Sequence, residues 1–230
     1  MIRRVFGLEA LLAGGVAAGS LAWRASRRRK PVNLRGKVVI ITGASSGIGR
    51  AAAHAFAAEG AWLVLAARRA DVLDEVRGEL AVYDVPVLAV PTDVSRDDDL
   101  QRLVDETRRA FGRIDVLVNN AGLSYGSPLA ELPPARVRAL LAVNLYGPMR
   151  LTQMVLPVML RQGPDRQGWA GHIVHVTSLA GQLPAPGMAV YAATRLGLTC
   201  FGDALRRELD GTGVRVSAVF PTWTRTPMAD

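Results

Sequence analysis

Short apolar runs alternate with amphipathic segments along the chain from residue 38 onward. Runs rich in β-branched side chains predict buried strands, and the segments between them carry apolar residues at helical spacing. The pattern predicts strands at 38–42, 62–67, 87–90, 115–120, 172–178 and 214–220, and helices at 51–59, 71–81, 97–111, 134–161 and 189–209. This alternation predicts a parallel sheet covered by helices on both faces, which is a doubly wound α/β fold.

The first 30 residues have a different pattern. Residues 5–23 carry a single charge, Glu9, and a helix of that length reaches about 30 Å, enough to cross a bilayer core. Basic residues flank this segment on both sides, and five of them follow it, so the positive-inside bias predicts a membrane anchor whose domain faces the cytoplasm. Other interpretations remain open: a cleaved targeting peptide of twin-arginine or transit type, a helix lying on a surface, or a disordered tail.

The formal net charge of +8 also belongs to this N-terminal part. Nine of the 28 Lys and Arg residues, but one of the 20 Asp and Glu residues, lie within 1–37, so the charges of residues 38–230 balance. A nucleic-acid partner therefore has no electrostatic support in the domain. We expect an anchor or targeting segment over 1–30, a basic linker over 31–37 and one globular domain over 38–230.

The chain has few cysteine and histidine residues that could bind a metal. The single cysteine, Cys200, cannot form an internal disulfide, which favours a reducing compartment and a packing role. His54, His172 and His175 have no second ligand at metal-binding spacing. We therefore predict no metal site and structural roles for the histidines.

The segment TGASSGIGR, residues 42–50, stands between the first predicted strand and the first predicted helix. Gly43 permits a tight turn, Gly47 permits close approach of a pyrophosphate, and Gly49 permits close packing of helix on strand. The free N–H groups of the helix N-terminus can bind phosphates. The motif predicts a dinucleotide-binding loop formed by Gly43, Ser45, Ser46, Gly47, Ile48 and Gly49.

With its spacing G-x-x-x-G-x-G, the chain from about Gly36 to its end resembles the short-chain dehydrogenase/reductase family. The other motifs that carry the resemblance are Asp93-Val94, NNAG at 119–122, Asn144, Ser178, Tyr191 and Pro221 with Thr226. The resemblance implies a Rossmann domain that transfers a hydride between a nicotinamide cofactor and a small-molecule carbonyl or secondary alcohol, and it implies a homo-oligomer. It also implies that Asp93 and Val94 flank the adenine, that Asn120, Ala121 and Gly122 line the cofactor cleft, and that Thr226 holds the carboxamide.

The end of the second predicted strand bears on the choice of cofactor. An acidic residue there accepts hydrogen bonds from a ribose 2′-hydroxyl, whereas this chain has Ala67 followed by Arg68 and Arg69. Guanidinium groups suit a 2′-phosphate, so the sequence favours NADP(H) over NAD(H). A solvated arginine pair at the start of a helix is the alternative.

The segment MAVYAATRLG, residues 188–197, places Tyr191 and Arg195 one helical turn apart on one face. A free phenol has a pKa of about 10, and a fixed cation nearby favours its ionised form. In the family the tyrosine exchanges a proton with the substrate oxygen; the resemblance implies that Ser178 holds that oxygen and that Asn144 keeps a water in line for proton relay. The family has lysine where this chain has Arg195, which cannot give up a proton as an ammonium can. A cofactor-binding protein with weak or no catalysis is therefore the alternative function.

The sequence also departs from the family in length. It ends at Asp230, where the family usually continues into a substrate loop, helices and a last strand. We expect either a shortened product, or a pocket closed by a partner chain or a membrane. The anchor favours an apolar substrate.

Overall fold

The computed structural model describes residues 32–166, 168–222 and 224. Within these residues, six parallel strands form one sheet in the order β3-β2-β1-β4-β5-β6. The strands are β1 (Val38–Thr42), β2 (Trp62–Ala67), β3 (Val87–Pro91), β4 (Val116–Asn119), β5 (Gly171–Val176) and β6 (Val214–Val219). The helices are α1 (Gly47–Ala58), α2 (Ala70–Leu80), α3 (Asp97–Phe111), α4 (Pro134–Leu141), α5 (Gly147–Gln162) and α6 (Ala189–Glu208).

The predicted doubly wound parallel sheet is confirmed, and the boundaries differ in two informative places. Helix α1 begins at Gly47 rather than at residue 51, so the glycine motif itself supplies the first helical turn. Gly47 has a positive φ of 52°, a backbone conformation that glycine adopts readily, so it suits the junction between the loop and the helix. The single helix predicted over 134–161 is divided by a π-helical turn, Ala142–Tyr146.

The strand order determines where a binding crevice forms. Strand β1 lies at the centre, between β2 on one side and β4 on the other, and the chain reverses its direction of winding at this point. In such sheets a crevice forms outside the carboxyl ends of the strands at the switch point. All six strands run parallel, so the loops that follow them meet at this one edge of the sheet.

A continuous apolar core supports that edge. Strand β1 is buried along its whole length, and helices α3 and α5 pack against the same core through residues such as Leu103 and Val155. Gly147 lies where the π turn passes into α5, and a Cβ there would overlap the backbone oxygen of Val94. Glycine at this position therefore lets α5 approach the loop that follows β3.

Some predicted features fall outside the described residues. The predicted anchor over 5–23 and Thr226 both lie there, and they stay predictions. Among the helices of the described part, none combines the length and apolarity needed to cross a bilayer. The described residues also contain no group of three or more potential metal ligands.

Candidate active site

A cleft of about 990 Å³ opens at the carboxyl edge of the sheet. It is lined by loops that follow each of the six strands and by the first turns of α6. Its volume lies at the upper end of the range for ligand pockets. The fold therefore brings the segments between the strands, rather than the strands themselves, to one binding surface.

Most of the residues predicted for the site lie in this cleft. The lining includes Gly43, Ser45, Ser46, Gly47, Ile48, Arg68, Asp93, Val94, Asn120, Ala121, Gly122, Ser178, Tyr191 and Arg195. Gly49 and Asn144 lie behind the lining, where they pack the loops that form it. Residues that the sequence analysis did not single out also line the cleft, including Leu123, Val143, Leu183 and Met188.

The glycine loop places the N-terminus of α1 at the cleft. The Ala44 N–H donates to the carbonyl of Ala66 at 3.3 Å, which holds the loop beside the end of β2. A Cβ at Gly49 would overlap the carbonyl oxygen of Gly43, so glycine there allows the helix to start close to the strand. The side chain of Ser46 at the N-cap makes no capping hydrogen bond, and no acidic residue lies in the first turn. This end of the helix therefore suits the negatively charged pyrophosphate that the motif predicts.

Thr42 fixes the loop after β4 against the glycine loop. Its Oγ1 accepts hydrogen bonds from the backbone N–H groups of Asn120 and Ala121, both at 3.0 Å, and donates to the carbonyl of Val118 at 3.3 Å. The Asn120 amide in turn donates to the Thr42 carbonyl at 2.9 Å. This threonine was not predicted as a site residue, although a hydroxyl residue at the end of a central buried strand is a signal for such a contact.

The end of β2 carries positive rather than negative side chains. Ala67 is buried, whereas Arg68 and Arg69 are exposed and line the cleft. Asp93 is the only acidic residue in the described lining, and its carboxylate already accepts from the Ser95 hydroxyl at 2.6 Å and the Ser95 N–H at 2.9 Å. The rim of the cleft at β2 therefore favours an anionic group.

Ser178, Tyr191 and Arg195 also line the cleft, and they can bind and polarise a substrate oxygen. Ser178 follows β5, and its Oγ accepts from the Ala180 N–H at 3.1 Å, which leaves the hydroxyl proton available for another acceptor. Tyr191 is 8% exposed in the first turns of α6. The Cζ of Arg195 lies 5.2 Å from the centroid of the Tyr191 ring, so the structure brings the phenol and the cation together.

Arg195 is buried. It is 3% exposed, its Nη1 donates to the Val176 carbonyl at 3.3 Å, and its Nε has no hydrogen-bond partner among the residues that the structure describes. No carboxylate of the described residues forms an ion pair with it. A Cβ at position 122 would overlap the guanidinium, so Gly122 makes the room that this larger cation needs. Because an unpaired buried charge is costly, this site favours negative charge that develops or binds beside it.

Asn144 lies in the π turn and is fully buried. Its Oδ1 accepts from the Leu123 N–H at 2.7 Å, and its Nδ2 donates to the Leu123 carbonyl at 2.9 Å and to the Thr194 Oγ1 at 3.2 Å. Both amide hydrogens are therefore used within the protein. The family resemblance implies that Asn144 holds a water. In the structure its side-chain amide links Leu123, in the loop after β4, to Thr194 on α6.

Two histidines lie on β5 and do not line the cleft. His172 contacts the Ser217 hydroxyl at 2.8 Å, and burial, assisted by the charge of Arg215, lowers its pKa to about 4. The Nδ1 of His175 lies 3.2 Å from the Nδ2 of Asn119, and burial lowers its pKa to about 4 as well. Both rings are therefore neutral at physiological pH.

The chain is similar to known proteins over this whole region. The family model described as short chain dehydrogenase matches residues 37–230. The Bos taurus protein named dehydrogenase/reductase SDR family member 7B is 34% identical over 225 residues, which cover 95% of this chain and 67% of that protein. The chain spans about two thirds of the length of the curated relatives that it matches.

Solved structures agree with this match. A 3-ketoacyl-(acyl-carrier-protein) reductase from Brucella melitensis, complexed with NADH, has a TM-score of 0.80 and 32% identity, over 85% of this chain and 79% of that one. A short chain dehydrogenase/reductase from Burkholderia phymatum, in complex with NAD, has a TM-score of 0.81 and 34% identity, over 87% of this chain and 70% of that one.

Proposed function

This chain belongs to the short-chain dehydrogenase family, and on that premise we propose that it is an NADP(H)-dependent oxidoreductase acting on a carbonyl or secondary alcohol. The observation that carries the proposal is the proximity of Tyr191 to the buried guanidinium of Arg195, which forms no ion pair with the described residues, at the wall of the cleft. The bound nicotinamide would supply or accept the hydride. The residues of this chain would hold the cofactor, orient the substrate oxygen and move its proton.

Each of the cleft residues has a role in this proposal. The glycine loop and the N-terminus of α1 would bind the pyrophosphate, with Asp93 and Val94 beside the adenine and Asn120 to Gly122 along the cleft. Ser178 would donate a hydrogen bond to the substrate oxygen. Tyr191 would exchange a proton with that oxygen at its phenolic Oη, and Arg195 would stabilise the tyrosinate form.

The preference for NADP(H) rests on the end of β2. Arg68 and Arg69 line the cleft there, and the residue at the end of β2 is Ala67 rather than an acidic one. Hydrogen bonds between charged groups contribute about 1.5–3 kcal/mol each. Arg68→Ala is therefore expected to weaken NADPH binding by roughly 10- to 100-fold and to leave NADH binding within about twofold.

The matched control for this test is Arg77→Ala. Arg77 is an exposed arginine that pairs with Asp74 on the same helix and does not line the cleft. Titrating wild type and both variants with NADPH and NADH and following nucleotide fluorescence gives six dissociation constants. Equal losses for both nucleotides in Arg68→Ala, or no loss for either, would overturn the assignment of NADP(H).

An apolar substrate is the best match for the remaining wall of the cleft. Beyond Tyr191 the lining continues through Leu123, Val143, Leu183 and Met188. Leu183 is mostly exposed there, so its side chain is free to contact an apolar ligand in the cleft. NADPH consumption with carbonyl compounds of increasing chain length tests this: kcat/KM should rise with chain length, and a flat or falling series would contradict it.

A second candidate function is supported by the same arginine. Arg195 stands where the family has lysine, and a guanidinium cannot serve as a step in a proton relay. In that case the protein would bind the nucleotide and turn over slowly or not at all. Arg195→Lys separates the two functions: a large gain in turnover at unchanged NADPH affinity would favour the weak catalyst, and a loss would show that the site is adapted to arginine.

We also propose that residues 5–23 anchor the chain to a membrane with the domain in the cytoplasm, and that the protein forms a homo-oligomer as the family does. A reporter fused to the C-terminus tests the orientation, because it would be active on the cytoplasmic side. Release of a shortened, soluble chain would favour a cleaved targeting peptide instead.

A further inference from the structure

Thr194 occupies a junction between the three segments that surround Tyr191. It lies on α6, three residues after Tyr191, and is 1% exposed. Its Oγ1 donates to the Tyr191 carbonyl at 2.7 Å and lies 3.2 Å from the Nδ2 of Asn144 in the π turn. Asn144 in turn holds both backbone polar groups of Leu123, in the loop after β4.

The directions of these hydrogen bonds follow from the chemistry of the groups. The Leu123 N–H can only donate, so the Asn144 atom that it contacts is the oxygen, and the Nδ2 is left as donor to the Leu123 carbonyl and to Thr194. The single hydroxyl proton of Thr194 then goes to the Tyr191 carbonyl, while its lone pair receives the Asn144 amide. The threonine hydroxyl is therefore both donor and acceptor, and no hydrocarbon side chain can replace it.

On this geometry we propose that Thr194 is a positioning residue for Tyr191, an inference that rests on the proposed oxidoreductase function. Its hydroxyl fixes the position of the Tyr191 backbone relative to the π turn and to the loop that contains Leu123. The loop after β4 also lines the cofactor cleft, through Asn120 to Gly122. The same bonds thus set the distance between the reactive phenol and the cleft wall.

Removal of the hydroxyl leaves a buried amide hydrogen of Asn144 without an acceptor. The turn of α6 that carries Tyr191 is then free to shift until that hydrogen finds another partner. Small displacements of reacting groups cost turnover steeply. Thr194→Val is therefore expected to lower kcat about tenfold, with KM and the NADPH dissociation constant within about twofold of wild type. Thr194→Ser keeps the hydroxyl, and it should restore kcat to within about twofold.

The matched control is Thr152→Val on α5. Thr152 is also 1% exposed, and its Oγ1 accepts from the amide of Asn119 at 3.1 Å, so the same kind of buried bond is lost outside the cleft lining. The unfolding temperature of each variant reports the structural loss, and kcat with phenanthrenequinone and NADPH reports the catalytic loss. If Thr194→Val unfolds at the assay temperature, Thr194→Ala takes its place.

The outcomes separate the two levels of the proposal. Loss of kcat in Thr194→Val with rescue by serine and normal kcat in Thr152→Val supports the positioning role. Unchanged kcat in Thr194→Val, an equal loss in Thr152→Val, or failure of serine to rescue would overturn it. If the wild-type protein reduces no carbonyl, the proposed function fails and the positioning role fails with it, whereas an active wild type with unchanged kcat in Thr194→Val overturns the positioning role alone.

Discussion

Burial of the Arg195 guanidinium lowers the free energy of unfolding, and a substitution that removes the charge should raise it. The guanidinium is 3% exposed, it makes one hydrogen bond of 3.3 Å to the Val176 carbonyl, and its Nε is unpaired. Methionine has a similar length and no charge, so Arg195→Met removes the buried cation and keeps most of the packing. We predict that this variant is more stable than wild type in the absence of nucleotide, and that it loses turnover.

The expected size follows from the contacts. Replacing buried charged groups by apolar residues of similar volume changes stability by about 0 to 4 kcal/mol in the stabilising direction, even where the charges were paired. The hydrogen bond that is lost contributes about 1 kcal/mol. Because no carboxylate in the described part of the chain pairs with Arg195, we expect a net gain of about 1–3 kcal/mol, and each kcal/mol corresponds to roughly 2–4 °C in unfolding midpoint.

Urea denaturation of the nucleotide-free proteins measures this gain. Arg77→Met, at an exposed arginine with a surface ion pair, is the control and should change stability by less than about 0.5 kcal/mol. Loss of stability in Arg195→Met would refute the reasoning, because it would mean that the guanidinium contributes more through packing and hydrogen bonding than its burial costs.

Two further predictions concern buried groups. Because the pKa of His172 and of His175 is lowered to about 4 in the folded protein, unfolding takes up protons as pH falls below about 6.5. The free energy of unfolding should therefore fall by about 2 kcal/mol per histidine between pH 7.5 and pH 5. A His172→Gln/His175→Gln double variant should lose correspondingly less stability over this range, as measured by urea denaturation at the two pH values. Gly122→Ala should lower NADPH-dependent turnover in wild type, because the added methyl group overlaps the guanidinium of Arg195. The loss of turnover should be smaller in an Arg195→Lys background. Equal losses in the two backgrounds of this double-mutant cycle would show that the overlap is relieved elsewhere.

The strands of the sheet could be predicted from the sequence because they are short, buried and rich in β-branched residues. Strands β1 and β2 have the predicted bounds, 38–42 and 62–67, since each is an apolar run next to glycine or arginine. Helix α1 was predicted to start four residues too late, because Gly47 and Gly49 read as turn residues while the fold uses them as a first helical turn. The π turn at 142–146 has no counterpart in the hydrophobic pattern, which is helical on both sides of it.

The candidate site was readable only where the residues are close in sequence or belong to a recognised motif. The spacing of Tyr191 and Arg195 on one helix predicted their proximity, and the structure has it. The burial of Arg195 under Gly122 joins residues far apart in the chain, and the link from Leu123 through Asn144 to Thr194 joins three segments. Such contacts depend on how loops meet in space, which local pattern does not encode.

The central claim is that Tyr191 exchanges a proton with a substrate oxygen beside a bound nicotinamide. The most direct measurement is carbonyl-dependent oxidation of NADPH by wild type and by Tyr191→Phe, with the NADPH dissociation constant determined for both. We predict turnover in wild type that falls by roughly 10²- to 10⁴-fold in the variant, at nearly equal nucleotide affinity. Equal turnover in the two proteins, or none in wild type with any carbonyl tested, would contradict the claim.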